Sequence, residues 1–375
     1  MDSSTRVVFK LAEYMKQQNN QNNLSEKILP LQPKVIGGFS VTSERFYRSD
    51  TNELKFLVVP ETDKFPLNLN KQHVLFNEHG HHAEYLDKML YFIRDNQDAM
   101  VKSCAVQADV VTRADVLETL MRTLYMKRNW SILGSRYRNT IYLCLTKPSH
   151  SGLTPAELAT ERNRQIMEAK LKQFLFSDTP DKSSILRCTG GEFHGVFRCK
   201  IGELSVVYAS IMGGHHAKHK HALNKKSSRF AECKVMLSHS TEPCSQWKPQ
   251  PEEALLWWSE CCLKDVKEIY IARPQSSGHV QSVSTSLLTT LIQDNINNWS
   301  SEMCISLLSD ILMQIRSVMQ LDNASAVYRF DYIANPGILK YNLTKQRNEQ
   351  TFLADWYRLM LEKPQADIPN IRRHK

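Results

Sequence analysis

Apolar residues recur at helical spacing in some stretches of this chain and alternate with polar ones in others, a mixture that predicts an α+β protein. Tyr85, Leu86, Met89, Leu90, Phe92 and Ile93 predict an amphipathic helix over Ala83–Arg94. Thr154 as cap, with Pro155 behind it, opens a long helix through Phe176. Ala254, Leu255, Trp257, Trp258, Cys261 and Cys262 predict a largely buried helix over Pro251–Leu263, and further helices are expected from a cap at Asp115 to Tyr125, over Met303–Met319 and over Phe352–Leu361. Strands are expected between Val35 and Pro60 and over Val101–Thr112, Asn129–Leu133, Asn139–Leu145, Phe193–Lys200, Glu203–Ile211, Phe230–Met236 and Lys267–Ala272. Ala326–Phe330 and Gly337–Tyr341 should form a hairpin across Asn335-Pro336. The polar run Gln17–Asn23 can bury nothing, so residues 1–34 are expected to be a loosely ordered arm. No polar linker divides residues 35–361, which should form one domain before a basic tail over 362–375.

Composition narrows the class. With 42% hydrophobic and 23% charged residues the 375-residue chain is ordinary globular material, and no apolar run reaches the ~20 residues of a membrane span, so a soluble intracellular protein is expected. A net charge of +9 points to a polyanionic partner, nucleic acid before membrane because no basic amphipathic helix stands out; solubility alone is the plainer explanation. Nine cysteines without a Cys-x-x-Cys pair are expected to be reduced thiols and not zinc ligands. His215, His216, His219 and His221 crowd one loop, but Lys218, Lys220, Lys225, Lys226 and Arg229 lie among them and would repel a dication. The loop reads as a basic contact surface or a solvated loop, and His79, His81 and His82 read the same way. No metal or cofactor is expected.

Arg122–Tyr142 interleaves bases and rings most densely. Arg128, Arg136 and Arg138 beside Trp130 would suit RNA, guanidinium groups pairing with phosphates and rings stacking on unpaired bases. The alternative is a strand pair with core aromatics and solvated charges.

Glu232 and Lys234 alternate onto one face of a strand. A metal-dependent nuclease needs such a carboxylate and lysine, together with further acids on the neighbouring strand, because Mg²⁺ takes hard oxygen ligands and the scissile phosphate takes a cation. Where those acids belong, the chain reads Ser210-Ile211-Met212-Gly213.

From Val35 to Leu361 this arrangement resembles the decapping exoribonuclease family. Ile201-Gly202 and Leu204-Ser205-Val206-Val207-Tyr208 match the approach to the family's Glu-x-Asp pair, whose positions fall on Ile211 and Gly213. Glu232-Cys233-Lys234 matches its Glu-x-Lys; Trp257-Trp258-Ser259-Glu260 keeps its Trp-Trp helix with Glu260 in place of a glutamine; Lys170-Leu171-Lys172-Gln173 puts Lys172 where a glutamate stands. Arg113 lies one residue from the register of the family's RNA-facing arginine. Ser135-Arg136-Tyr137-Arg138-Asn139-Thr140, Phe193-His194-Gly195-Val196-Phe197 and Tyr270-Ile271-Ala272-Arg273 are similar to a catalytically degenerate germline branch. The resemblance implies two mixed β-sheets forming a central cleft with flanking helices. It also implies a non-catalytic protein of the nucleus, with the cytoplasm as the alternative, that engages RNA 5′ ends or associated factors, Lys172 and Lys234 among its contacts, within a heterochromatin-associated piRNA-cluster complex of the Rhino and Deadlock type. There it would shield source transcripts from degradation, termination and splicing for transposon silencing. A residually active nuclease using Glu232 and Glu260, and a protein-interaction scaffold with a blocked pocket, are the alternatives.

Overall fold

In a computed structural model the chain folds around two mixed β-sheets flanked by helices, the α+β architecture expected. The structure describes residues 6–21, 30–70, 85–147, 154–179, 190–216, 230–237 and 248–362. The larger sheet has ten strands in the spatial order Arg6–Lys10, Ile338–Thr344, Val327–Ile333, Trp130–Tyr137, Thr140–Thr146, Val110–Arg113, Leu204–Ile211, Glu192–Ile201, Lys34–Val41 and Tyr47–Arg48. At its centre Val110–Arg113 runs parallel to both neighbours, so Thr146, Arg113 and Ile211 end on one edge. The second sheet has seven strands, with Phe230–Val235 parallel to Glu268–Pro274 and buried along its whole length.

Two hairpins owe their register to backbone that favours few residue types. Leu204 follows Ile201 through Gly202, at φ +56, where a Cβ would press on the Ser309 hydroxyl. Trp130–Tyr137 turns into Thr140–Thr146 through Arg138 and Asn139, both at positive φ (52° and 64°), the twist a two-residue hairpin requires.

Between the sheets lies the largest core, where Tyr208 and Phe197 of one meet Phe230, Ile269 and Ile271 of the other. The Phe197 and Phe230 rings sit 6.0 Å apart, nearly edge to face. The helix Pro251–Cys262 closes this core with Trp257 and Trp258, which are 1% and 4% exposed. Each such ring buries roughly 200 Å², or about 5 kcal/mol as an upper estimate. The helix Pro155–Leu175 begins in a capping box between Thr154 and Glu157 and buries Met167, Leu171 and Leu175. It lies along Phe230–Val235, and Glu168 Oε1 accepts the Val235 N–H at 3.3 Å.

Four expectations are corrected. Residues 6–21 are not a loose arm: Arg6–Lys10 pairs antiparallel with Ile338–Thr344, and the following helix Leu11–Gln21 buries Tyr14. An edge strand needs apolar residues on one face only, and the polar run that follows hides it. The strand over Val101–Thr112 is broken by Ser103 and Cys104, both at positive φ, into a ribbon of Val101–Lys102 with Ala105–Val106, followed by Val110–Arg113. Asp115 does not cap the helix Ala114–Arg122: Arg113 holds the cap position, and Asp115, inside the first turn, pairs with its guanidinium at 2.7 Å. His279–Leu287 and Leu288–Asp294 form an unforeseen strand and helix, because Gln281, Ser282, Ser284 and Ser286 leave the strand little apolar pattern.

Candidate functional site

Four segments converge on Glu232. The strand Phe230–Val235 presents Glu232 and Lys234 on one side, the helix Pro155–Leu175 contributes Lys172, and the helix Pro251–Cys262 contributes Glu260. The turn after Leu204–Ile211 brings the Gly213 N–H to Glu232 Oε1 at 2.7 Å. Just past the Trp-Trp helix, Lys264 reaches in. Its ammonium donates to Glu232 Oε1 at 2.9 Å and to Glu260 Oε1 at 2.7 Å. Lys234 donates to Glu260 Oε2, and Lys172 Nζ lies 3.9 Å from Glu232 Oε2.

Burial is deep and graded. Glu232 is fully buried, Lys234 and Lys264 are 3% exposed, and the Lys172 side chain is 38% exposed at the rim. Charges this deep are tolerated only when paired, and the pairing sets their titration. Burial pushes the Glu260 carboxyl up, but Lys234, Lys264 and Lys172 together hold it well below the carboxylate range. Glu232 is lowered in the same way, against burial, chiefly by Lys264 and then Lys172. Burial would lower the two deep lysines, yet Glu232 and Glu260 raise Lys264, and Glu260 and Glu168 raise Lys234. Two carboxylates against three ammonium groups leave the cluster with one net positive charge. The Glu232 carboxylate thus meets the Lys264 ammonium and the Gly213 N–H, with Lys172 farther off; Ile211, half-buried, lies two residues before Gly213.

The candidates divide by position. Lys172, Gly213, Glu232, Lys234 and Glu260 come together, and Ile211 ends a strand of the other sheet two residues before Gly213. Arg113 stands beside Ala209 in the sheet but is tied to Asp115. Trp130 is corrected from a base-stacking ring to a core residue: it is 5% exposed, donates its indole N–H to Thr123 Oγ1 at 3.0 Å, and stacks on Tyr332 with centroids 5.3 Å apart. Arg128 is half-buried and, with Arg122, Met126 and Leu256, lines a cleft of about 230 Å³ one helical turn from Glu260. Arg136 and Arg138 are not at the site. Arg136 donates to the Met319 carbonyl at 2.9 Å, and Arg138 occupies the hairpin turn at the opposite edge of the sheet from Ile211, roughly 25 Å away by strand rise. His215 and His216 lie in the short strand Gly214–His216. The remaining loop histidines, His79, His81 and His82, and the basic tail lie outside the described residues. Among the described residues, no group of three or more His, Cys, Asp or Glu is arranged to hold a metal.

Sequence reasoning missed Lys264 and Glu118. The signal for Lys264 was its spacing, four residues after Glu260 and thus on the same helical face. Glu118, paired with Arg122 at 3.3 Å, is pushed up to about 7, mainly by burial, with Glu260 adding to the rise and Arg122 opposing it. A carboxyl raised in the fold is protonated there while still ionised in the unfolded chain, so its contribution is whole below about pH 4.5 and is lost as pH rises to 7. With the side chain 13% exposed, that loss should be about 2 kcal/mol. His194, lowered by burial, acts oppositely by losing stability as pH falls below its ordinary value. The Glu118→Gln variant isolates the effect: urea unfolding at pH 5 and pH 8 should show a smaller loss for the variant than for the wild type, and equal losses would refute it.

The chain matches the model of the RAI1-like PD-(D/E)XK nuclease family over residues 31–358. It is 25% identical to Protein cutoff of Drosophila melanogaster over 366 residues, 91% of each chain. It is 23% identical to the human Decapping and exoribonuclease protein over 355 residues, 90% of this chain and 87% of the other. Its fold matches Candida albicans Rai1, solved in complex with pU5-Mn²⁺, at a TM-score of 0.70 and 13% identity, covering 90% of this chain and 96% of that one. The match to the family model over residues 31–358 places the chain in the RAI1-like PD-(D/E)XK nuclease family.

Proposed function

We propose that this chain is a non-catalytic member of that family that engages RNA 5′ ends, or the factors bound to them, without hydrolysing them. The observation that supports this best is the charge balance around Glu232. Metal-assisted phosphodiester cleavage needs carboxylate oxygens free to bind a divalent ion. Here Gly213 offers none, and Glu232 and Glu260 already face three ammonium groups. A site with net positive charge and an accessible lysine at its rim suits a terminal phosphate better than a cation.

The similarity to Protein cutoff supports the biological setting of the proposal. In this reading the protein acts in the nucleus, at piRNA-source loci, with heterochromatin-associated proteins of the Rhino and Deadlock type. It shields transcripts from degradation, termination and splicing, and so serves transposon silencing. Glu232 and Lys234 also favour a second reading, a weakly active decapping or 5′-end nuclease, which the same reagents separate.

Equilibrium binding to RNAs that differ only at the 5′ end (hydroxyl, monophosphate, triphosphate, cap) tests the first reading. A phosphorylated end should bind about tenfold more tightly than a hydroxyl end, and Lys172→Glu should remove that preference. Equal affinity for all ends would contradict it.

A further inference from the structure

The family's chemistry invites a divalent ion between Glu232 and Glu260, and the residues present do not fit one. An ion held by both carboxylates would sit about 2.0–2.6 Å from an oxygen of each. That space is already taken: Lys264 Nζ lies 2.9 Å from Glu232 Oε1 and 2.7 Å from Glu260 Oε1. Of the other two oxygens, Glu260 Oε2 accepts from Lys234, while Glu232 Oε2, buried without a hydrogen-bond partner among the described residues, lies 3.9 Å from the Lys172 ammonium. A third carboxylate cannot enter at position 213, because a Cβ there would lie 2.6 Å from Glu232 Oε2 and 2.7 Å from the Ala231 carbonyl.

We propose that Lys264 is the resident cation of this site, its ammonium bridging Glu232 and Glu260 where a divalent ion would otherwise be held. The site is then assembled without metal and is indifferent to chelators. Helix geometry supports the assignment: Lys264 follows Glu260 by four residues, just past the last turn, where the helix dipole favours a cation. The inference deepens the non-catalytic reading above, but it does not require RNA to bind.

Its test is Mn²⁺ titration of the protein after metal has been removed with EDTA and the EDTA dialysed away, with binding read as loss of the free-ion EPR signal. The wild type should show no saturable binding at submillimolar Mn²⁺. Lys264→Gln, which is one bond shorter and keeps a hydrogen-bond donor but not the charge, should gain one site at least about tenfold tighter. Lys264→Gln combined with Glu232→Gln should lose it again. If Lys264→Gln is unstable without a cation, its melting temperature should rise with Mn²⁺ while that of the wild type does not move. Saturable wild-type binding that Glu232→Gln abolishes would overturn the assignment. So would a Lys264→Gln variant that neither gains a site nor is stabilised by Mn²⁺. Failure of the RNA-binding experiment alone would leave these results standing, so the two readings fall separately.

Discussion

Replacing Lys264 with methionine should cost the fold about 3–5 kcal/mol, because it leaves Glu232 fully buried with one remaining deep donor, the Gly213 N–H. Lys172, 3.9 Å from the other oxygen and partly exposed, compensates only weakly. Glu232→Leu alone should cost a similar amount, since it removes a partner from Lys264 and leaves the Gly213 N–H unsatisfied. The double variant should lie within about 2 kcal/mol of the wild type, because apolar groups of similar volume replace a buried ion pair at little net cost. Urea unfolding of the four proteins closes the cycle. If the single losses simply add up in the double variant, Lys264 and Glu232 do not interact as the geometry requires.

Placing an acid at position 213 should destabilise the fold. In Gly213→Asp the new Cβ would lie 2.6 Å from Glu232 Oε2 and 2.7 Å from the Ala231 carbonyl, and its carboxylate would enter beside an existing buried one. Neither neighbour is the far end of a mobile surface chain; Ala231 is strand backbone and Glu232 is fully buried. Overpacking of this kind costs about 1–3 kcal/mol, and like charge in a buried site adds to it. Thermal unfolding should therefore rank wild type above Gly213→Ala and Gly213→Ala above Gly213→Asp, with the last lower by at least about 3 kcal/mol. A Gly213→Asp protein as stable as the wild type would show that the site retains room for the acid.

The residues at the site were legible where the chemistry lies on one element. Glu232 and Lys234 share a strand face, and Lys172 and Glu260 sit on helices that a proline in the first turn marks in the sequence. Lys264 was not legible in its role: in the sequence it reads as an ordinary i,i+4 partner for Glu260, and only the fold inserts it beside Glu232, 32 residues away. The basic–aromatic run from Arg122 to Tyr142 shows the opposite failure. Its spacing admitted an RNA groove and a core hairpin alike, and the stacking of Trp130 on Tyr332, a strand 200 residues later, is invisible locally. Arg136 and Arg138 were separated from Glu232 by strand direction, which depends on parallel pairing that no local pattern fixes. The N-terminal strand was missed because its partner, Ile338–Thr344, lies at the other end of the chain.

We propose above that this nuclease fold holds RNA 5′ ends without cutting them. Purified full-length protein incubated with 5′-phosphorylated, 3′-labelled RNA and Mn²⁺, at protein concentrations that bind all of the RNA, tests it most directly. RNA should be recovered at full length, whether the protein is wild type or Glu232→Ala. Shortened RNA made by the wild type and absent with Glu232→Ala would contradict it.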